Sequence, residues 1–551
     1  MSGYISKILN NSISSLSAQQ GLIATTSSNI SNVNTPGYSR RIVQVETRGG
    51  GNTTGLNLGN GVELGELQRQ TSSFLENLLR SAVSDTKGSE VEDEFMSRLE
   101  GLFSLQGGTN TIGSALNGFF AAVDDLSVNP SSIELRANFI ERANDLVNSI
   151  RDTYNTLASL QDEADRRIAS EVDSVNSLCR QIADINGRIR TAEASGTLAP
   201  DERDQRDALL QKLSEKVTFK VVEAGDGTVN VTLTNGFPLV SSTVVREIEV
   251  SRTPSFASGT LPPSLSGGQL NYIVYDFSNG GGTGHIDLSE TIAEGNGTLG
   301  GLLAVRGTNA ASNTSAFSGQ GVLIDIAARV ESVARVLLTT VNRINVGDDN
   351  LDGSTDRDPA TPAFFDPTSG DLDGNSPASY GLFSFTYAGN ADTDNNGLAD
   401  DLGTHGVDSY ASRLKLTITN PRQVAAARDS SAGAPAAATF APGDGRNLEA
   451  ISALQNRDLT FVTGTHSLTA NFGAAYDETV STVGNLRNRS KVNLSVAAAN
   501  QATAQSQRDE VAAVSLDEEF ANLIKFQRSF EASARLIKIA DQLLIELLQV
   551  I

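Results

Sequence analysis

The 551-residue chain has no tryptophan, one cysteine, two methionines and three histidines, and only 5% of its residues are aromatic. A lone cysteine excludes an intrachain disulfide. Three histidines give little material for a histidine metal centre, and so few aromatic rings argue against a stacking platform for sugars or a haem pocket. Positive charge is scarce too: 42 Lys and Arg stand against 65 Asp and Glu, a formal charge of −23. A field of that sign repels nucleic acid and anionic lipid, so no nucleic-acid partner is expected. No window reaches the roughly 18 uninterrupted apolar residues of a membrane span, which predicts no membrane insertion. The opening residues "MSGYISKILNNSISSLSAQQ" carry one lysine and no continuous apolar stretch, so they do not read as a cleavable secretory signal.

Patterns for catalysis are missing as well. The sequence holds no Walker loop, GxSxG, HExxH or CxxC, and its 50 glycines sit in turn contexts. Glu518 and Glu519 in "SLDEEF" read as first-turn acids behind a Ser515 cap, where the helix dipole accounts for them. Cys179, in "SVNSLCRQIADI", lies in a helical pattern with Leu178, Ile182 and Ile185 and reads as a packed thiol. An enzyme is therefore not expected. One stretch has metal-like spacing: in "DTDNNGLAD" Asp392, Asp394, Asn396 and Asp400 take the first, third, fifth and ninth places of a calcium loop. Its twelfth place is Gly403 instead of a bidentate glutamate, and Asx turns account for such a loop without metal. Calcium is thus the one candidate ligand, and no cofactor is expected beyond it.

What the chain does have is a heptad at each end. Leu9, Leu16, Ile23 and Ile30 recur every seven residues, flanked by Ser, Asn, Gln and Thr rather than by Glu and Lys. At the other end Leu516, Phe520, Leu523, Phe530, Ile537, Leu544 and Leu548 follow a three-four spacing. A helix with one apolar seam is marginal alone, so both ends are expected to be mobile in the monomer and ordered in an assembly. The first helix stops at "NISNVNTPGYSRR". There Asn34 is predicted to take the left-handed cap conformation, and Pro36-Gly37 to form a type II turn with Gly37 at positive φ. Asn29, Asn32 and Tyr38 complete the expected assembly contacts, because an amide can bond neighbouring backbone without adding charge.

Composition divides the chain into a core helix over 1–40, an extended segment over 41–70 and a helical stalk over 71–215. A β insertion over 216–315 follows, then a stalk helix over 316–345, an acidic Gly- and Asp-rich insertion over 346–445, stalk helices over 446–505 and a second core helix over 506–551. The expected class is α+β, elongated and multidomain: terminal helices forming a coiled-coil core, a helical-bundle stalk and β-rich insertions.

These segments resemble a known family. "SSNISNVNTPGYSRR" and "VSLDEEFANLIKFQRSFEASARLIKIADQLL" look like the N- and C-terminal signatures of the bacterial flagellar axial proteins. "DERDQRDALLQKLSEKV", "GTLGGLLAVRGT" and "LLTTVNRINVGDDNLDG" are similar to the hook-associated junction members of that family. Phe526 and Phe530 stand where the family signature usually has tyrosine, which keeps the apolar seam. The resemblance implies a structural protein that forms the layer between hook and filament. It implies export through the flagellar type III apparatus, with a cytoplasmic chaperone on the C-terminal helix. Its other implied partners are the hook protein, a second junction protein (hook-associated protein 3) and further copies of itself. Its implied place is extracellular, in the flagellum, after a transient cytoplasmic stage. Two other readings remain: a hook or rod protein, and a calcium-dependent surface adhesin or hydrolase carried on the middle insertions.

Overall fold

The computed structural model describes residues 2–48, 61–103, 111–194, 196, 198–252, 264–277, 284–308, 321–346, 369–370, 382–385, 409–428, 443–463 and 466–550. The chain begins with α1 (Ser2–Ser31), β1 (Arg41–Thr47), β2 (Val62–Arg69), α2 (Ser73–Phe103), α3 (Ile112–Val128), α4 (Ile133–Glu193) and α5 (Pro200–Lys216). Strands β3 (Phe219–Glu223), β4 (Val229–Leu233), β5 (Pro238–Ser241), β6 (Val244–Val245), β7 (Glu249–Ser251), β8 (Tyr272–Asp276) and β9 (His285–Asp287) follow. Next come α6 (Ser289–Ala293), α7 (Gly297–Arg306), α8 (Val322–Val346), β10 (Ser369–Gly370), β11 (Phe383–Phe385), α9 (Tyr410–Arg413), β12 (Leu414–Leu416) and β13 (Ala427–Arg428). The chain closes with α10 (Arg446–Ala453), β14 (Leu459–Thr463), β15 (His466–Ala470), α11 (Phe472–Ala512) and α12 (Leu516–Val550).

Two compact units are built from discontinuous pieces. One comprises Met1–Lys87, Ser174–Glu247 and Val496–Ile551; the other comprises Gly88–Asp173 and Ile248–Ser495. Three of the four boundaries fall inside α2, α4 and α11, and the fourth lies between β6 and β7. Composition marks a change of secondary structure, whereas compactness follows from which faces pack together.

The first unit holds α1, α12 and the antiparallel β1–β2 ladder, together with a four-stranded antiparallel sheet ordered β3-β4-β5-β6. Its strands alternate as the sequence pattern requires: in β4, Val229, Val231 and Leu233 are buried and the two residues between them are half-buried. The second unit carries the sheet β7-β8-β9 and an aromatic row in which Phe119 packs edge-on against Phe120 and tilted against Phe139, and Phe472 packs tilted against Phe120 and edge-on against Phe461. Glycine is needed where α7 meets α2: a Cβ on Gly301 would stand 2.6 Å from the Gly88 carbonyl oxygen. The other glycines of "GTLGGLLAVRG" have their own causes: a Cβ on Gly300 would meet the Gly295 carbonyl, and Gly297 and Gly307 hold positive φ.

Helix α4 runs for 61 residues on one buried stripe. Ile140, Ala143, Val147, Ile150, Tyr154, Leu157, Gln161, Ala164 and Ile168 alternate three and four residues apart, and Val172, Val175, Cys179, Ile182, Asn186 and Ile189 continue the stripe. At Ala164–Ile168–Val172 two steps of four occur in succession, next to the unit boundary after Asp173. Such a stutter lets a heptad stripe adjust its winding. Cys179 lies in the stripe at 1% exposure, and burial pushes its thiol up to about 12. A thiol so held is no nucleophile at neutral pH. DTNB should therefore release no thionitrobenzoate from the native chain and one equivalent after unfolding in guanidinium; one equivalent released in native buffer would contradict this packing.

Candidate assembly site at the paired terminal helices

Helix α1 forms from thirty residues with no proline and one lysine, and it lies against α12. Two side-chain bonds define the alignment. Ser15 Oγ and Ser533 Oγ are 3.0 Å apart, and Asn29 Nδ2 donates to Glu519 Oε2 at 3.3 Å. These pairs are fourteen residues apart on each helix, in opposite chain directions, so the helices run antiparallel over two heptads without slippage.

Half of the expected C-terminal seam is where the spacing put it: Leu523, Phe530, Ile537 and Leu544 are half-buried. The other column is one residue earlier than expected. Glu519, Ser533 and Ala540 are buried and Phe526 is half-buried, while Leu516 and Phe520 are 40% and 49% exposed. Among the described side chains of α1 the buried residues are Ser12, Ala18, Thr26 and Asn29, and Leu9, Leu16, Ile23 and Ile30 are half-buried beside them. The side chain of Leu548 lies outside the described residues, as do Asp392, Asp394, Asn396 and Asp400. Among the described residues no three His, Cys, Asp or Glu side chains converge as a metal site.

The turn after α1 is built largely as the local chemistry dictates. Tyr38 N donates to Thr35 O at 3.2 Å, which places Pro36 and Gly37 at the two central positions, and Gly37 has φ of 81°. Asn34 differs from expectation. Ser242 is the positive-φ residue other than glycine among those described, so Asn34 is not left-handed. The helix instead unwinds through short turns: Asn32 N donates to Ser28 O and Asn29 O, and Thr35 N to Asn32 O. Asn34 and Pro36 are exposed.

Asn29 is 1% exposed, and its amide is satisfied within its own chain. Nδ2 donates to the Arg41 carbonyl at 2.9 Å as well as to Glu519, and Oδ1 accepts from Tyr38 OH at 2.9 Å and Arg41 N at 3.1 Å. Asn32 Nδ2 donates to Ser28 O at 2.9 Å. The asparagine expected to touch a neighbouring subunit is therefore an internal clamp, because a buried amide must find its partners where it is buried. Burial also pushes the Tyr38 phenol up, and the Arg41 guanidinium lies 4.7 Å from the Tyr38 ring centre.

Six charged residues that the sequence did not single out, Arg40, Arg41, Arg69, Asp201, Asp204 and Asp207, complete the clamp. Arg40 Nε donates to Glu519 Oε1 at 2.8 Å, Arg40 Nη1 to Glu518 Oε2 at 2.7 Å, and Arg40 N to the Ala512 carbonyl at 2.9 Å. On α5, Asp201 and Asp204 both pair with Arg41, and Asp204 and Asp207 with Arg69. The acids are spaced three apart in "DERDQRD", which puts them on one helix face. That spacing was a legible signal, and the arginines that answer it lie more than a hundred residues away in the chain.

Ile8 and Ile13 on α1 and Leu516, Phe520, Ile524, Leu536, Ile539, Leu543 and Ile545 on α12 are all at least 40% exposed. Such a set, spread over both flanks of the seam on one helix pair, exceeds the scattered apolar residues of an ordinary surface and marks surface that other protein covers.

Comparison with known proteins agrees with this arrangement. Residues 96–359 match the family model described as the flagellar hook-associated protein FlgK helical domain. Residues 505–550 match flagellar basal body rod FlgEFG protein C-terminal, and residues 9–38 match flagella basal body rod protein. The chain is 25% identical over 572 residues to flagellar hook-associated protein 1 of Escherichia coli (strain K12), covering 98% of both chains. It is 27% identical over 579 residues to that of Salmonella typhimurium, covering 99% of this chain and 100% of the relative. For Bacillus subtilis the identity is 24% over 543 residues, with 96% and 95% covered. The fold is that of the flagellar hook junction protein FlgK from Burkholderia pseudomallei, with a TM-score of 0.58 and 17% identity over 79% of this chain and 100% of that one. Full-length relatives that share one name, together with family models matching both terminal helices and the helical region between them, show that the chain resembles flagellar hook-associated protein 1 along its whole length.

Proposed function

We propose that the chain is a structural component of the bacterial flagellum and forms the junction layer between hook and filament. The observation that carries this reading is the row of apolar residues left uncovered on α1 and α12, from Ile8 and Ile13 to Leu536, Ile539 and Leu543. Copies of the chain side by side cover such a row, and burial of each leucine or isoleucine contributes about 1.5–3 kcal/mol. The hook protein borders the layer on one side and hook-associated protein 3 on the other. Before assembly the chain is cytoplasmic, held by an export chaperone on α12, and it leaves through the flagellar type III apparatus. A chain with one free thiol and marginal terminal helices suits passage through a narrow channel in extended form.

The helical-domain match over residues 96–359 favours this role over a hook or rod protein, whose resemblance reaches only the ends of the chain. Deleting the gene should leave hooks in place and release filaments into the medium, with swarming lost and restored by the gene in trans. Normal motility and retained filaments in the deletion strain would refute the junction role. Blocking flagellar export should also remove the chain from washed hook preparations.

A further inference from the structure

We infer that Glu519 is the positioning residue that sets the register of the terminal helix pair: with Asn29 and Arg40 it selects one antiparallel alignment of α1 and α12. Packing alone leaves that choice open. The columns Leu9, Leu16, Ile23, Ile30 and Leu523, Phe530, Ile537, Leu544 repeat every seven residues, so a slip of one heptad again sets apolar against apolar. In the inner columns the same slip places Ser15 opposite Ala540 and Leu22 opposite Ser533, and neither pairing brings a clash between large side chains. These helices lack the ordered rows of flanking charge that fix register in many coiled coils, since α1 has one lysine and no acid.

Glu519 breaks the degeneracy. It is 2% exposed and is the charged member of a column otherwise made of Phe526, Ser533 and Ala540. Its carboxylate accepts from Arg40 Nε at 2.8 Å through Oε1 and from Asn29 Nδ2 at 3.3 Å through Oε2. Arg40 follows α1 through the Thr35–Tyr38 turn and also reaches α12's approach through its backbone bond to Ala512 O. A heptad slip moves α12 by about 10 Å along α1. The carboxylate then faces Leu22, or Asn29 faces Phe526, and a buried charge loses both partners together. A single buried polar group is known to select register in coiled coils at the cost of some stability. Here the group joins the two terminal signatures, which makes "NTPGYSRR" and "SLDEEF" two halves of one latch. The inference extends the junction reading, since a fixed register decides which apolar residues of the pair face outward.

Disulfide trapping in the purified full chain reads the register without a flagellum. Three double variants report it: Ser15→Cys with Ser533→Cys for the observed alignment, and Ser15→Cys with Phe526→Cys or with Ala540→Cys for a slip in either direction. Cys179 is buried and does not take part. In the parent, oxidation should close the first pair alone. Adding Glu519→Leu should raise the ratio of slipped to native disulfide by at least about tenfold, because the partnered buried charge no longer penalises the slip. Glu519→Gln keeps an acceptor for Asn29 and Arg40 and should restore the native pair. If Glu519→Leu gives no disulfide at any pair, Arg40→Ala read at the same three pairs carries the decision, with slipped disulfides expected. Native disulfide alone in Glu519→Leu, or in Arg40→Ala where that variant decides, overturns the inference, as does slipped disulfide in the parent. A strain that retains filaments without the gene would refute the junction role while leaving this register result untouched.

Discussion

Leu536→Asp combined with Ile539→Asp should abolish filament attachment while the purified chain keeps its helix content and thermal midpoint. The two residues are 50% and 52% exposed, and they flank the buried column of Glu519, Phe526, Ser533 and Ala540 without belonging to it. Replacing an exposed apolar residue by a polar one changes stability by about 0.5 kcal/mol or less. In the assembled wall the same aspartates are buried without partners, and each uncompensated charge costs about 3–5 kcal/mol per copy. The effect repeats in every copy of a closed layer, so partial attachment is not expected. Complementation of the deletion strain, with filaments counted by electron microscopy and circular dichroism on the purified variant, separates assembly from folding. Normal filament counts would mean that this face of α12 is not a contact.

The second large effect is on stability. Asp165→Ala should destabilise the unit formed by 88–173 and 248–495 by about 3–5 kcal/mol, because it strips the partner from a buried guanidinium. Arg306 at the end of α7 is fully buried, and burial pushes its pKa down against the opposing effect of Asp165. Asp165 pairs with Arg306 Nη1, accepts from Asn271 N at 3.0 Å through Oδ1 and accepts from Asn271 Nδ2 at 2.6 Å through Oδ2. Arg306 donates further to the Asn271 and Gly307 carbonyls at 2.8 and 3.1 Å. Gln161, one turn before Asp165 on α4, donates to the Arg306 carbonyl and accepts from Leu265 N, so α4, α7 and the segment before β8 meet in one polar network. Urea unfolding should show a lower midpoint with an unchanged slope. Asp165→Leu with Arg306→Met should recover most of the loss, since an apolar pair of similar volume removes the stranded charge. A loss below about 1 kcal/mol in Asp165→Ala would mean that water replaces the carboxylate.

Short-range chemistry makes much of this molecule legible in its sequence. The Thr35–Tyr38 turn needs only Pro36 and Gly37, and Gly37 takes the positive φ that the pair predicts. The buried stripe of α4 and the packed Cys179 follow from spacing along one helix, where three- and four-residue neighbours share a face whatever lies opposite. The existence of a seam on each terminal helix follows in the same way. None of these depends on a residue far away in the chain.

The choice between neighbouring columns did depend on one. Adjacent residues on a helix differ by only about 100° around its axis, and side-chain hydrophobicity ranks Phe520 above Glu519 for the buried position. The structure reverses that order because Arg40 and Asn29 bring a cation and an amide to Glu519 from 479 and 490 residues away. Pairing with Glu519 likewise turned Asn29 from an expected assembly contact into an internal clamp, and Arg41 and Arg69 found Asp204 across more than a hundred residues. Helix periods, the turn and the apolar stripes are local consequences of covalent geometry and sequence pattern. Which polar groups are buried, and where the two compact units divide, was settled only by folding, since desolvation and pairing depend on what the whole chain brings together.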